Sequence, residues 1–183
     1  MENGSFMGMR ESMHLLYDSV EVDKNTGDLF IDKKTVYHGS PNIGIDTDMR
    51  QADDETVGSG LYCTSEIGKA WGYAQYRAST DATPSPRVYE IILEKKRFAD
   101  LRNQEVVNKI VEGFRGVLAD YVKKPDISVF RQKACAKALE NIAKKDITSG
   151  MLRLVTYGNS DLFTVYMKSL GYDGLVCFEG GEG

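Results

Sequence analysis

The chain has 183 residues, a mass of 20.4 kDa and 42% hydrophobic residues, which suits one globular domain with a single core. Its formal net charge of -4 and pI near 5.3 provide no broad cationic field, so nucleic-acid binding is not indicated. The sequence has neither an apolar run of ~20 residues for a membrane span nor a basic-then-apolar leader. These features predict a cytoplasmic site of action, which also fits an effector delivered into another cell.

The three cysteines, Cys63, Cys135 and Cys177, show no C-x-x-C or Cys/His ligand spacing. An odd number of thiols cannot all pair within one chain, so a reducing compartment is the simplest prediction. The spacing gives no reason to expect a metal site.

Residues 1–34 are predicted to form an N-terminal extension of this single domain. A short helix is expected around residues 13–17, and two apolar triplets at 20–22 and 29–31 flank a polar turn ending in Gly27, which predicts a β-hairpin. The β-rich run 35–38 then ends at Gly39-Ser40-Pro41. Residues 43–59 are acidic and aperiodic, which predicts a loop over a ligand cleft.

A helix is predicted to follow, capped by Thr64 or Ser65 and reaching about residue 78. Its apolar residues recur at helical spacing and predict one buried stripe, made of Ile67, Ala70, Trp71 and Ala74. After a Pro-rich break, residues 88–93 read as a largely buried strand.

Residues 103–145 are predicted to form an α-helical insertion of two helices. The first carries a wide apolar stripe through Val106, Ile110 and Phe114 and ends before Pro125. The second begins near Ser128, and its apolar positions are Phe130, Ala134, Ala138, Leu139 and Ile142. A third helix, capped near Ser160 or Asp161, is expected to stop at Gly171, and residues 175–178 then form a short strand.

The residues that would carry chemistry lie between 38 and 73. An amide ligand such as nicotinamide needs a backbone N–H and C=O from a residue that allows close approach, together with aromatic faces for stacking. Gly39 is suited to the first role, and Tyr62 and Tyr73 are suited to the second.

The segment Gly60-Leu61-Tyr62-Cys63-Thr64, with Lys69 and Tyr73 seven and eleven positions after Tyr62, resembles the G-x-Y-F-A-x(4)-K-x(3)-Y segment of the poly(ADP-ribose) polymerases. The turn His38-Gly39-Ser40 is similar to the H-G-S turn that precedes it there. The resemblance is therefore to the histidine-tyrosine-glutamate branch of ADP-ribosyltransferases, which includes diphtheria toxin, and to its small bacterial and phage-encoded members. It covers about 35–93 and resumes at 171–183.

This resemblance implies an α+β fold with a split β-sheet core, elaborated by the helical insertion, and NAD as substrate. It assigns His38 to the adenosine-side ribose, Gly39 to the nicotinamide carboxamide, and Tyr62 and Tyr73 to the two faces of the ring. Ser40 would contact the neighbouring ribose. The sequence departs from the polymerase pattern at Ala70, where a serine normally bonds the carboxamide.

The resemblance also implies a glutamate that stabilises the oxocarbenium-like state at the nicotinamide ribose. Glu182 and Glu179 are the nearest carboxylates after the last predicted strand, and Glu182 is the candidate for that role. The alternatives are a glutamate strand beyond Gly183, or an acid elsewhere, such as Asp100. The rifamycin-modifying ADP-ribosyltransferases are similar to this last case.

The function implied is transfer of ADP-ribose from NAD to a macromolecular acceptor, expected to be a protein, with release of nicotinamide. Two alternatives stay open: a catalytically inactive module that binds NAD or a protein, and a transferase that modifies a small molecule of the rifamycin type. The absence of G-x-S-x-G, H-E-x-x-H and phosphate-loop motifs leaves no competing catalytic set.

Overall fold

The computed structural model describes residues 7–11, 20–23, 26–41, 57, 60–79 and 85–178, with backbone alone for 7–11, 20 and 178. These ranges contain a mixed α and β architecture with six strands and five α-helices. The elements in chain order are β1 (Met7–Glu11), β2 (Val20–Val22), β3 (Asp28–Ser40), β4 (Leu61–Cys63), α1 (Ile67–Ala78), β5 (Arg87–Asp100), α2 (Gln104–Tyr121), α3 (Val129–Lys144), α4 (Arg153–Thr156), α5 (Ser160–Ser169) and β6 (Gly174–Phe178).

The described strands form one mixed sheet in the order β2-β3-β5-β6-β1-β4. A long antiparallel ribbon of β3 and β5 pairs from Asp28 with Ala99 to Ser40 with Arg87. The pairs β5–β6, β6–β1 and β1–β4 are parallel. An isolated antiparallel bridge between Tyr37 and Thr64 then connects the end of β4 to β3, so the sheet curls back on itself.

The predicted hairpin is confirmed, because β2 pairs antiparallel with residues 29–31 of β3. The predicted helix at 13–17 lies outside the described residues, and so does nearly all of the predicted loop at 43–59. The sequence did not predict β1, which lies between β6 and β4. The segment expected as an N-terminal extension thus supplies β1, β2 and the first part of β3 to the sheet.

The helices predicted between 103 and 145 are confirmed by α2 and α3. Asn103 caps α2 by accepting the Glu105 N–H at 2.9 Å, and Ser128 caps α3 by accepting the Arg131 N–H at 3.2 Å. The α2 stripe is buried in the larger of two hydrophobic clusters, which also includes residues of β5, α3, α5 and β6, among them Ala99, Cys135, Phe163, Leu175 and Cys177. The helical layer and the sheet therefore share one core.

Phe130, an apolar position of the predicted second helix, is not buried. Its side chain is 60% exposed and lies in the first turn of α3, with its ring near Gly158. The buried residues of α3 are Cys135, Ala138 and Asn141, and the Asn141 amide donates to the Leu154 carbonyl at 2.8 Å.

A buried polar cluster connects β3, β5 and the turn before β6. The Asp28 carboxylate accepts from the Arg97 guanidinium at 2.6 and 3.1 Å and from the Tyr172 hydroxyl at 2.6 Å. Burial alone raises the pKa of Asp28, but hydrogen bonds from Tyr172, Arg97 and Thr26 hold it below its ordinary value. Burial and the bond to Asp28 raise the pKa of Tyr172 to about 12.

All three cysteines are buried, and none of them forms a disulfide bond. Burial raises the pKa of the Cys63 thiol to about 12, so it is neither a thiolate nucleophile nor a ready metal ligand at neutral pH.

Candidate functional site

The candidate site lies where β3 and β4 separate. Tyr37 donates its N–H to the Thr64 carbonyl at 2.7 Å and accepts the Thr64 N–H at 2.9 Å. In a continued antiparallel ladder Gly39 would face Tyr62 as the next hydrogen-bonded pair. Within the described residues, however, pairing between these segments ends at Tyr37 and Thr64. The pair that would follow, Gly39 with Tyr62, is therefore not formed, and we refer to this interruption of the ladder as the gap.

The backbone groups of Gly39 are directed into this gap. Successive residues of a strand direct their N–H and C=O groups to alternate sides, so those of Gly39 point to the same side as those of Tyr37, away from β5. His38, between them, directs its backbone groups to its partner Tyr89 on β5. Gly39 thus presents an amide donor and a carbonyl acceptor at the gap.

The His38 side chain occupies the place of the missing strand contact. Its Nδ1 lies 2.6 Å from the Tyr62 carbonyl oxygen, which in a ladder would accept the Gly39 N–H. A carbonyl oxygen can only accept, so Nδ1 carries the proton and Nε2 of the neutral ring is an acceptor. Burial lowers the pKa of His38, and the bond to Tyr62 opposes that shift only in part. The ring is therefore neutral at pH 7, and Nε2 can accept a hydrogen bond from a hydroxyl group.

Gly39 is also required by the packing of α1. A Cβ at this position would lie 1.9 Å from the Ala70 carbonyl oxygen and 3.1 Å from the Ala74 nitrogen. The absence of a side chain lets the backbone of α1 rest directly on β3. The glycine has a structural role here that is independent of any ligand.

The two tyrosines belong to separate elements that both contact β3. Tyr62 on β4 is half-buried, and its hydroxyl donates to the Val57 carbonyl at 3.0 Å. Tyr73 lies on α1 between Ala70 and Ala74, the two residues that touch Gly39, and is 45% exposed. Ser40 is the last residue of β3 and is half-buried. The fold thus brings all five predicted binding residues to one region.

The predicted stripe and cap of α1 need correction. Ala70 and Ala74 are buried as predicted, but Ile67 is 59% and Trp71 43% exposed, and the third buried residue is Ala78. Only small side chains fit beneath α1 because its backbone lies so close to β3. The N-cap residue is Glu66, without a side-chain capping bond, and Thr64 instead accepts the Glu66 N–H at 3.2 Å.

Of the predicted carboxylates Glu182 and Asp100, the structure describes only Asp100. Glu182 lies outside the described residues. Asp100 is bound by the Arg102 guanidinium at 2.7 and 2.9 Å, and β6 and β1 separate its strand from β4. Asp100 therefore does not join His38 and Tyr62 and is not the acid of this site.

The register shows where the chain leaves β6. Phe178 pairs with Glu11, whereas Leu175 and Tyr62 both pair with Gly8 from opposite sides. The end of β6 is thus two strands across and three residues along from Tyr62, a separation of about 14 Å.

Neither metal ligation nor a membrane span is evident in the ranges that the structure describes. No group of three or more His, Cys, Asp or Glu side chains there could hold a metal ion. No described helix combines the length and apolar character needed to cross a bilayer.

Comparison with protein-family models, with curated proteins and with solved structures found no match for this chain.

Sequence reasoning missed the contact that defines the site. The residues at 38, 39 and 62 were expected near one ligand, but nothing in their spacing showed that the His38 ring takes the Tyr62 carbonyl. The available signal was a short β-rich run followed by Gly-Ser-Pro, which indicates a strand that loses a partner near its end.

Proposed function

We propose that this protein binds NAD⁺ and transfers its ADP-ribose to an acceptor protein, releasing nicotinamide. The observation that supports this best is the gap in front of Gly39. A carboxamide has one carbonyl acceptor and one N–H₂ donor, as a peptide group does, so nicotinamide can complete the pairing that β4 leaves open. Gly39 would donate to the carboxamide oxygen and accept from its nitrogen.

The neighbouring side chains suit the rest of this ligand. Tyr62 and Tyr73 supply aromatic faces from two elements, and stacking between them would hold the pyridinium ring. The neutral His38 ring would accept a ribose hydroxyl at Nε2, and Ser40 would contact the neighbouring ribose. With alanine at position 70, the carboxamide would depend on the backbone of Gly39 alone.

In the proposed reaction the bond between the ribose C1′ and the nicotinamide nitrogen breaks, and nicotinamide leaves with the bonding electron pair. A nucleophile of the acceptor forms the new bond to C1′ and loses its proton. A carboxylate on the ribose hydroxyl would stabilise the oxocarbenium-like state between these events. Glu182 is our candidate, since four residues span up to ~14 Å, the separation of β6 from Tyr62.

The proposal also includes the fold. We interpret the curled sheet as the split β-sheet core of an ADP-ribosyltransferase-like domain, with α2 and α3 as its helical insertion. The cytoplasm is the proposed site of action, and a bacterial or phage effector is the class of protein that fits.

Calorimetry with NAD⁺ tests the pocket. Tyr62→Ala and Tyr73→Ala should each weaken binding by about tenfold or more, because each removes one stacking face. Tyr76→Ala is the matched control on α1, since Tyr76 is 72% exposed and should not affect binding. Absence of NAD⁺ binding to the wild-type protein would refute the proposal.

A second function, NAD⁺ binding without turnover, is favoured by one observation. Asp100, the predicted alternative to Glu182 as the catalytic acid, forms an ion pair with Arg102. Incubation with labelled NAD⁺ and a cell lysate separates the two functions. Transfer of label that is lost in Glu182→Gln supports the enzyme, whereas binding without labelled protein or free nicotinamide supports the binding module.

A further inference from the structure

We infer that Val57 is a positioning residue, whose backbone carbonyl fixes the Tyr62 ring in the orientation that nicotinamide requires. This inference rests on the proposed function, in which Tyr62 stacks on the pyridinium ring. It adds a role for the Tyr62 hydroxyl, which stacking by itself does not need, and for a residue outside the predicted binding set.

The Tyr62 residue is held at both ends. Its backbone carbonyl is bound by Nδ1 of His38 at 2.6 Å, and its hydroxyl donates to the Val57 carbonyl at 3.0 Å. The neighbours of Tyr62 on β4, Leu61 and Cys63, are buried in the smaller core cluster on the opposite face of the strand. A ring fixed in this way loses little torsional freedom when a ligand stacks on it.

The acceptor is itself anchored in the larger core. The Val57 side chain is half-buried and packs against the larger hydrophobic cluster, which contains Phe114 and Phe163. Its carbonyl therefore has a defined position relative to β4. Through this contact the larger cluster, which contains none of the predicted binding residues, would set the orientation of one face of the proposed nicotinamide site.

The test uses Tyr62→Phe, which keeps the aromatic face and removes only the hydroxyl. We expect this variant to bind nicotinamide about two- to tenfold more weakly, because a ring without this bond must be ordered when the ligand stacks on it. Binding of ADP-ribose, which lacks the pyridine ring, should be unchanged. Tyr76→Phe is the matched control, because Tyr76 lies on α1 outside the predicted binding set and is 72% exposed, and it should bind both probes as the wild type does.

Val57→Ala provides a second variant, because it keeps the carbonyl and loosens the packing that holds it. It should weaken nicotinamide binding in the same direction and leave ADP-ribose binding unchanged. Equal loss of both probes in either variant would indicate a general structural role and overturn the inference. Wild-type affinity of Tyr62→Phe for nicotinamide would also overturn it while leaving the proposed function intact. If the wild-type protein binds neither probe, the proposed function itself fails.

Discussion

His38 shows how one side chain can take over a backbone contact. Its Nδ1 binds the Tyr62 carbonyl, so this part-buried oxygen has a hydrogen-bond partner where the ladder is interrupted. The same bond fixes the tautomer and leaves Nε2 as a hydrogen-bond acceptor. The protonation state of this ring should therefore control binding.

NAD⁺ affinity is expected to depend on pH through His38. Burial lowers its pKa from the ordinary value of 6.5, so the neutral form persists at pH 7 and is lost only in more acidic solution. Protonation converts Nε2 into a donor and adds a charge beside the pyridinium. Affinity should thus be constant above about pH 7 and fall as the pH drops below the ordinary pKa of 6.5.

The free energy of unfolding should also depend on pH through His38. As pH falls below 6.5 the unfolded chain takes up a proton before the folded chain does, so the free energy of unfolding decreases. His38→Gln, which cannot titrate, should show a flatter affinity profile in calorimetry. Replacement of the chain's other histidine, His14→Gln, should keep the wild-type profile. An unchanged profile in His38→Gln would contradict this prediction.

Among the elements, the contact of α1 with β3 controls the geometry of the site. The buried face of α1 consists of Ala70, Ala74 and Ala78, and the strand beneath it has a glycine at the point of closest approach. This small-residue contact brings the turn of α1 that carries Tyr73 close to the Gly39 backbone. Any side chain at position 39 would separate the two elements.

Gly39→Ala should lower the free energy of unfolding by about 2–3 kcal/mol, because its Cβ would overlap the Ala70 carbonyl and force α1 away. Gly72→Ala is the matched control on α1, where an added Cβ meets no atom within 4 Å. That variant should raise stability by up to about 1 kcal/mol through helix propensity. Urea unfolding measures both, and equal stability of the two variants would show that the helix does not rest on Gly39.

At the scale of the whole molecule, the helical layer and the sheet are joined by a common core. The cluster around Phe114 includes Ala99 of β5 and Leu175 of β6. In addition, Asp28 of β3 bonds to Arg97 of β5 and to Tyr172 in the turn before β6. We therefore predict that the chain unfolds in one cooperative transition.

Two probes can test this prediction. The only tryptophan, Trp71, lies on α1 and reports on the sheet side, whereas far-UV circular dichroism is dominated by the helices. Their urea transitions should coincide. Phe114→Leu, which removes a fully buried ring in edge contact with Phe163 at 5.1 Å, should lower both midpoints equally, with a loss of about 1–3 kcal/mol. A shift confined to circular dichroism would identify the helical layer as a separate unit.

Local sequence signals are sufficient to predict several of the elements. The turn at Gly27, the caps at Asn103 and Ser128, and the 3.6-residue period of α2 each act within a few residues, so the hairpin and both long helices were predictable. The predicted binding residues follow from the spacing of a sequence motif, which indicates a type of chemistry but contains no distances between atoms.

The position of β1 and the geometry of the candidate site depend instead on long-range contacts. A five-residue strand such as β1 is stable only between neighbours, here β6 and β4, which lie far away in the sequence. The close contact of Gly39 with α1 and the His38 bond to Tyr62 likewise join segments more than twenty residues apart. Such contacts form through the packing of the whole chain, and no local pattern specifies them.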